Sequence, residues 1–568
     1  MKPYRLFIAI VFVLVFLQAI FDLYLPSLMA DIVDVGIVNG DIDYITRVGG
    51  WMLLMAALAV ICAVIASFLS SRTATGFGRD LRREVFEKVE GFSLEEFDDF
   101  GTSSLITRTT NDVNQMQQVV MIMLRMMLRA PFMCIGGIIM AISKDRKLST
   151  IIIVVMPIIA LTMFIIGKKG MPLFKIMQEK IDRLNLVLRE KLTGIRVIRA
   201  FNRADYEKDR FDDASRDLAE TAIRVNRIMS VGMPVMMLVM NFTTIAVIWF
   251  GGIRIDNGSM QVGDLMAFIQ YIMHIMFSLI MFSMMFIMLP RASASAVRIG
   301  EVLDSTNRIQ DPLAPKDREV ERGSIEFKDV TFSYPGAEQP ILSNVSFSTK
   351  PGEVTAIIGG TGSGKSTLIN LIPRFYDIDE GSILFDGVDI RDMTQACLRA
   401  KIGFVPQKAL LFSGTIGDNI RVGKEDATDE EVMSAADIAQ AIEFISDLED
   451  GLDSMTTQGG TNLSGGQKQR LSIARALVRQ PALYIFDDSF SALDFKTDAK
   501  LRSALKEEIG DSSVIIIAQR ISTVMDADQI IVMDKGQVVG KGTHRDLLKT
   551  CKVYREIASS QLSEEELA

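Results

Sequence analysis

The sequence predicts a protein of two unlike parts, an all-α domain of about six membrane-spanning helices followed by a soluble α/β domain. Three observations predict it. Up to about residue 290 the chain is a succession of long apolar blocks rich in Met, Ile, Leu, Val and Phe. From about residue 325 short apolar runs alternate with charged stretches, and within them a glycine-rich turn joins a strand-like run to a helical one. At 568 residues the chain is also too long for one ordinary core.

Composition narrows the class. A net charge of -9 lacks the basic excess that nucleic-acid binding needs, so no nucleic acid is expected as a partner. Cys62, Cys134, Cys397 and Cys551 lie far apart without metal-ligand spacing and read as reduced, buried small residues. Apolar residues make up 49% of the chain and crowd into its first half, which points to the lipid bilayer as their solvent.

Taken in order, the spans fall at about 6–29, 50–70, 120–143, 148–166, 228–251 and 265–289, each near the ~20 residues a bilayer requires. The first is too long for the apolar core of a cleaved signal, and more spans follow it. Cationic residues set the orientation. Lys2 and Arg5 precede the first span, Arg72, Arg79, Arg82, Arg83, Lys88 and Arg108 lie between the second and third, and Lys168, Lys169, Lys175 and Lys180 follow the fourth. The first external loop is acidic, with Asp31, Asp34, Asp41 and Asp43. Both termini and both long polar connections are therefore expected in the cytoplasm. One short outer turn runs against the rule, carrying Lys144, Arg146 and Lys147.

Within those connections, 80–90 and 181–201 keep helical periodicity, which predicts membrane helices that continue into the cytosol. Their tips, near 97–104 and 202–211, would then touch the soluble domain; solvated loops are the other reading. The stretch 304–323 holds Pro312, Pro315 and many charges and reads as a linker. The expected division is a membrane domain 1–305, a linker 306–323 and a second domain 324–568, which opens on the strand-like 324–332.

The second domain carries explicit chemistry. Gly359-Gly360-Thr361-Gly362-Ser363-Gly364-Lys365-Ser366 fits the G-x-x-x-x-G-K-[ST] pattern, between the apolar strand 354–358 and a helical run that begins at Thr367. Glycines let the backbone curl until successive N–H groups face phosphate oxygens, and the helix N-terminus adds its field. Lys365 would bridge the terminal phosphates of ATP, and the Ser366 hydroxyl would ligate Mg²⁺. Downstream, Leu483-Tyr484-Ile485-Phe486-Asp487 is an apolar strand ending in a carboxylate, which makes Asp487 a natural Mg²⁺ partner.

Leu463-Ser464-Gly465-Gly466-Gln467-Lys468-Gln469-Arg470 opens a helix, and with it the sequence resembles the ABC transporter ATPases. The resemblance runs the whole length of the chain and implies a dimer in which one subunit's phosphate loop faces the other's signature. It implies that Tyr334 stacks on adenine, that Gln407 (in Val405-Pro406-Gln407) senses Mg²⁺ and the membrane domain, and that Asp494 (in Ser491-Ala492-Leu493-Asp494) couples the two sites. The implied ATP-contacting set is Tyr334, Gly359 through Thr367, Gln407, Leu463 through Gln467 and Asp494, with Ser366, Gln407 and Asp487 toward Mg²⁺. The first half resembles six-helix exporters, whose coupling helices correspond to 101–113 and 195–211 here. Soluble relatives of DNA repair lack membrane spans and are excluded. The implied location is the bacterial plasma membrane, with the ATP-binding domain in the cytoplasm.

Two departures from the family pattern carry information. Where active members place a water-polarising Glu after the Walker B aspartate, this chain has Asp488, one methylene shorter. Where they place a switch histidine, it has Gln519, which can donate an amide hydrogen bond but cannot carry charge. Of only two histidines, His274 lies in a span and His544 well beyond the switch. Drift in a working homodimer is one reading. The sharper one resembles the non-catalytic subunit of bacterial heterodimeric exporters: this chain binds ATP weakly hydrolysed at its own site (Asp487, Asp488, Gln519) and lends its signature to a homologous partner that has the Glu and His. A third departure, Gln458 for a Glu before the signature, has no reading.

Substrate clues are thinner. Spans five and six are rich in Met (Met229, Met233, Met236, Met237, Met240; Met273, Met276, Met281, Met284, Met285, Met288), which with Phe277, Phe282 and Phe286 either line a cavity for varied lipophilic compounds or simply pack. Asp22, inside the first span, either attracts a cationic compound or is paired. His274 is expected to hydrogen-bond between helices, and Arg125 and Arg129 to snorkel to the cytoplasmic boundary. The leading expectation is multidrug efflux by a heterodimer. A homodimeric lipid or peptide exporter and a non-transporting ATP-gated regulator are the alternatives.

Overall fold

The computed structural model describes residues 2–317, 322–508, 510 and 512–562, the side chains at 2, 163, 171 and 283–287 excepted. Contacts group the chain into two compact units, Met1–Glu90 with Ser103–Ser305 and Gly91–Thr102 with Thr306–Ala568.

In the first unit hydrocarbon offers peptide groups no partner but one another, and the backbone is helical almost throughout. Among the described residues six helices are long and apolar enough to cross a membrane: Arg5–Ile37, Ile42–Glu90, Thr102–Lys144, Thr150–Thr193, Ala204–Asp256 and Val262–Phe282, the last continuing to Asp304. The second to fifth run 43 to 53 residues, about twice what a bilayer needs, so the spans do continue beyond it.

The tips differ from expectation by several residues. A capping box between Ser93 and Glu96 starts the short helix Leu94–Phe100, and Gly101, at φ +72°, ends it; 102–113 already belongs to the third long helix. The run 181–201 is not one helix, because Gly194 breaks it. The second short helix is Ile195–Ala200, and residues 204–211 open the fifth long helix.

Several charges near the membrane-spanning parts of the first unit are paired. Lys144 meets Asp264 at 2.9 Å and Arg254 meets the buried Asp145 at 2.6 Å; in the outer turn that violated the charge rule Lys144 is thus neutralised, while Arg146 and Lys147 are exposed and have no ion pair among the described residues. Asp34 caps the sixth helix, accepting from the Gly263 N–H at 2.6 Å and the Asp264 N–H at 3.1 Å. A Cβ at Gly263 would lie 2.4 Å from the Ala30 carbonyl oxygen, so only glycine allows this approach. Two expectations are corrected. Arg129 does not snorkel but binds Asp22 at 2.8 Å, which leaves Asp22 no free charge for a cation. His274 makes no hydrogen bond among the described residues; it is half-buried within electrostatic reach of the Asp22–Arg129 pair. The methionines divide: Met236 and Met276 are buried, Met233 and Met237 exposed, and the side chains of Met284, Met285 and Phe286 lie outside the described ones.

In the second unit a six-stranded sheet orders Gln537–Gly542, Gln529–Asp534, Val354–Gly359, Ser513–Ile517, Leu483–Asp487 and Ile402–Val405, parallel except for the first, antiparallel edge. Strand periodicity of two sends Ile357, Ile485, Ile515 and Ile517 to one core and Ala356, Ile358, Phe486 and Ile516 to the other. A four-stranded antiparallel sheet, Leu342–Ser348, Ile325–Phe332, Glu380–Phe385 and Val388–Asp389, packs in the first of these cores. The segment 91–102 is tied into this unit: Tyr376 Oη donates to Asp98 at 2.9 Å, the Arg308 N–H donates to Glu96 at 3.0 Å, and the Arg308 side chain pairs with Glu95.

Removing one partner of a buried ion pair costs about 3–5 kcal/mol. Asp145→Ala is therefore expected to lower the thermal midpoint of the detergent-solubilised protein by several degrees, with Asp145→Leu plus Arg254→Leu recovering most of the loss.

Candidate nucleotide-binding site

The phosphate loop follows the strand Val354–Gly359 and leads into the helix Lys365–Leu371. Gly362 and Gly364 have φ of +78° and +94°, and a Cβ at Gly359 would meet the Met533 carbonyl oxygen at 2.2 Å. These glycines are thus required by backbone shape. Lys365 Nζ lies inside the curl, donating to the Gly359 and Gly360 carbonyls at 2.9 and 2.7 Å, and burial pulls its pKa down. An ammonium held on carbonyls, without an ion pair to a carboxylate among the described residues, fits a loop shaped for anionic phosphate oxygens.

Ser366 Oγ donates to Asp487 Oδ1 at 3.4 Å, which sets a hydroxyl and a carboxylate side by side, a donor set suited to Mg²⁺. Burial raises the Asp487 pKa, and the neighbouring Asp488 charge adds to the rise. Asp488 follows with a left-handed φ of +47°, its N–H bonded to the Ile517 carbonyl at 3.0 Å. Its Oδ2 accepts from Gln519 Nε2 at 2.9 Å and from Gln407 Nε2 at 3.4 Å. Burial also raises this carboxyl's pKa, and the Gln407 bond opposes the rise.

The structure therefore brings together Lys365, Ser366, Thr367, Gln407, Asp487, Asp488 and Gln519. Tyr334 joins them through its hydroxyl, 3.1 Å from Thr367 Oγ1. In this chain Ser464 of the signature caps the helix Gly465–Leu477 in a reciprocal box with Gln467, and among the described residues it makes no hydrogen bond to the phosphate loop. Asp494 likewise caps the helix Phe495–Glu508, accepting from the Lys496 and Thr497 N–H groups, which lowers its pKa. Sequence reasoning missed Tyr376, which lies edge-on to Tyr334 at 5.3 Å and holds Asp98. Nothing in the motif spacing marks it; burial and Asp98 push its phenol pKa up.

Residues 8–280 match the model of the ABC transporter transmembrane region, and residues 342–491 that of the ABC transporter. An uncharacterized ABC transporter ATP-binding protein of Mycobacterium tuberculosis is 45% identical over 99% of this chain and 97% of its own length. One of Bacillus subtilis is 41% identical, covering 100% of this chain and 98% of its own. An ATP-dependent lipid A-core flippase of Desulfotalea psychrophila is 35% identical over 87% and 86%. Among solved structures, a bacterial Atm1-family ABC exporter with ATP bound matches with a TM-score of 0.83 at 28% identity, over 99% of both chains.

Lys365→Ala removes the cation from the loop. Charge-assisted hydrogen bonds contribute about 1.5–3 kcal/mol, so ATP affinity is expected to fall at least about tenfold. Fluorescent-nucleotide titration measures the fall, and an unchanged thermal midpoint without nucleotide shows that the fold is intact.

Proposed function

The chain belongs to the ABC transporter family, exporter type with fused membrane and ATP-binding domains, and on that premise we propose that it is the ATP-holding subunit of an asymmetric pair that exports lipophilic compounds. Such exporters are dimeric, multi-pass membrane proteins that hydrolyse ATP, with the ATP-binding domain in the cytoplasm. The proposal concerns what distinguishes this chain within them.

The observation that carries it is the Asp488 carboxylate and its two amide donors. A carboxylate one methylene shorter than Glu is withdrawn by about 1.5 Å, and a misplacement of about 1 Å can cost on the order of 10²-fold in rate. Here one of its two oxygens, Oδ2, already accepts from Gln519 and Gln407, which leaves less of the carboxylate for a water. Lys365 would hold the terminal phosphates, while Ser366, Asp487 and Gln407 would hold Mg²⁺. The metal, when bound, neutralises charge on those phosphates. ATP binding is thus retained while the water-activating step is weakened at this site. The signature Leu463–Gln467, unaltered, would serve a homologous partner that supplies the Glu and the switch His. Closure of the two ATP-binding domains would turn the membrane cavity outward, and hydrolysis at the partner's site would reset it.

A second reading, a homodimeric lipid exporter with slow hydrolysis, is favoured by the similarity to lipid A-core flippases. Purification separates the two: strong lipid- or drug-stimulated ATPase activity from this chain alone would sink the asymmetric reading. In a complex whose partner site is disabled, Asp488→Glu with Gln519→His is expected to raise hydrolysis by on the order of 10²-fold. No gain would show that these residues do not set the asymmetry.

A further inference from the structure

We infer that the membrane unit holds a receptor for the acidic group of a lipophilic anion, with Arg125 as the residue that selects it. This rests on the export reading above and adds to it the sign of the substrate's charge.

A cavity of about 430 Å³ opens between the first, second, third and sixth helices, a size suited to small organic ligands. Its polar lining is Gln18, Ser67, Arg125 and Arg129, set among apolar residues such as Val15 and Met281. Among the described residues no carboxylate lines it. Of the two guanidinium groups, Arg129 is neutralised by Asp22 at 2.8 Å. Arg125 is exposed and has neither a hydrogen bond nor an ion pair among the described residues. Among the described residues the cavity therefore carries one uncompensated positive charge, that of Arg125.

Two further features place that charge. Arg125 sits in the π turn Met123–Met127, where the third helix departs from regular α geometry, as helices often do at functional sites. At 1.5 Å per residue it lies about 28 Å along the helix from Lys144 at the outer end, which is the cytoplasmic side of a ~30 Å hydrocarbon layer. An ionised side chain left facing an intramembrane cavity is costly unless a counter-charge visits it. A guanidinium meets a carboxylate, phosphate or sulfonate through paired, charge-assisted hydrogen bonds, whereas it repels a cation. The apolar body of such a molecule would rest on the adaptable Met121, Met126 and Met281.

The test uses the full chain in phosphatidylcholine nanodiscs without nucleotide, with a fluorescent fatty acid and its amine counterpart of equal chain length as probes. The acid is expected to bind at least about tenfold tighter than the amine. Arg125→Gln should remove that preference by weakening acid binding alone, and Arg125→Lys should keep most of it. Asp22→Asn, which frees Arg129, should tighten acid binding, so the series contains a change of opposite sign that misfolding cannot imitate. Equal affinity for the two probes, or no response to Arg125→Gln, overturns the proposal. Adding phosphatidylglycerol identifies the source of the anion: competition marks a lipid headgroup, its lack a free amphiphile, and both support the site. Because the measurement involves no hydrolysis, its failure leaves the asymmetric-site reading standing, and the converse also holds.

Discussion

Hydrocarbon cannot hydrogen-bond a peptide group, and the architecture of the first unit follows from that constraint. It forces the chain into helices and favours partners for the ionised side chains within them. Asp22 with Arg129, Asp145 with Arg254 and Lys144 with Asp264 are three solutions, each joining different spans. Once a helix has formed, continuing it past the lipid costs little, and the second to fifth helices run on for about as many residues again. Membrane solvation thus produces, as a by-product, rods that extend into water.

A different geometry assembles the nucleotide site. The parallel strands Val354–Gly359, Ser513–Ile517, Leu483–Asp487 and Ile402–Val405 all end at the same edge of the sheet. Their carboxyl ends deliver the phosphate loop, Gln519, the Asp487–Asp488 pair and Gln407 to one place, the usual location of ligands in such sheets. Residues separated by more than a hundred positions meet because strand direction is shared. Asp488 then becomes the hub, since it accepts from both glutamines.

Much of this was legible in the sequence because it is local. Hydrophobic runs of sufficient length mark spans, and the glycine-rich loop, the strand ending in Asp487 and the Ser464–Gln467 box are short patterns whose chemistry is contained in their spacing. What was not legible depends on partners distant in the chain. The charge of Lys144 argued against its side of the membrane until Asp264 was beside it. Arg129 read as a boundary residue because Asp22 is far upstream, and Tyr376 carries no motif at all. The stretch 181–201 was read as free of a glycine break although it contains Gly194, and there the backbone ends the helix.

The physical unit that binds nucleotide is not one stretch of sequence. Gly91–Thr102 clusters with Thr306–Ala568, and Arg308, Asn307 and Tyr376 hold it through Glu95, Glu96, Gly91 and Asp98. A gene fragment that starts at the linker would encode a domain lacking one of its own pieces, with the basic Arg308 stripped of both acidic partners. Exchange of one half of the gene for a homologue's would likewise separate contacts that this chain holds together. The seam at which such a protein can be cut or grafted therefore lies elsewhere than where its hydropathy changes.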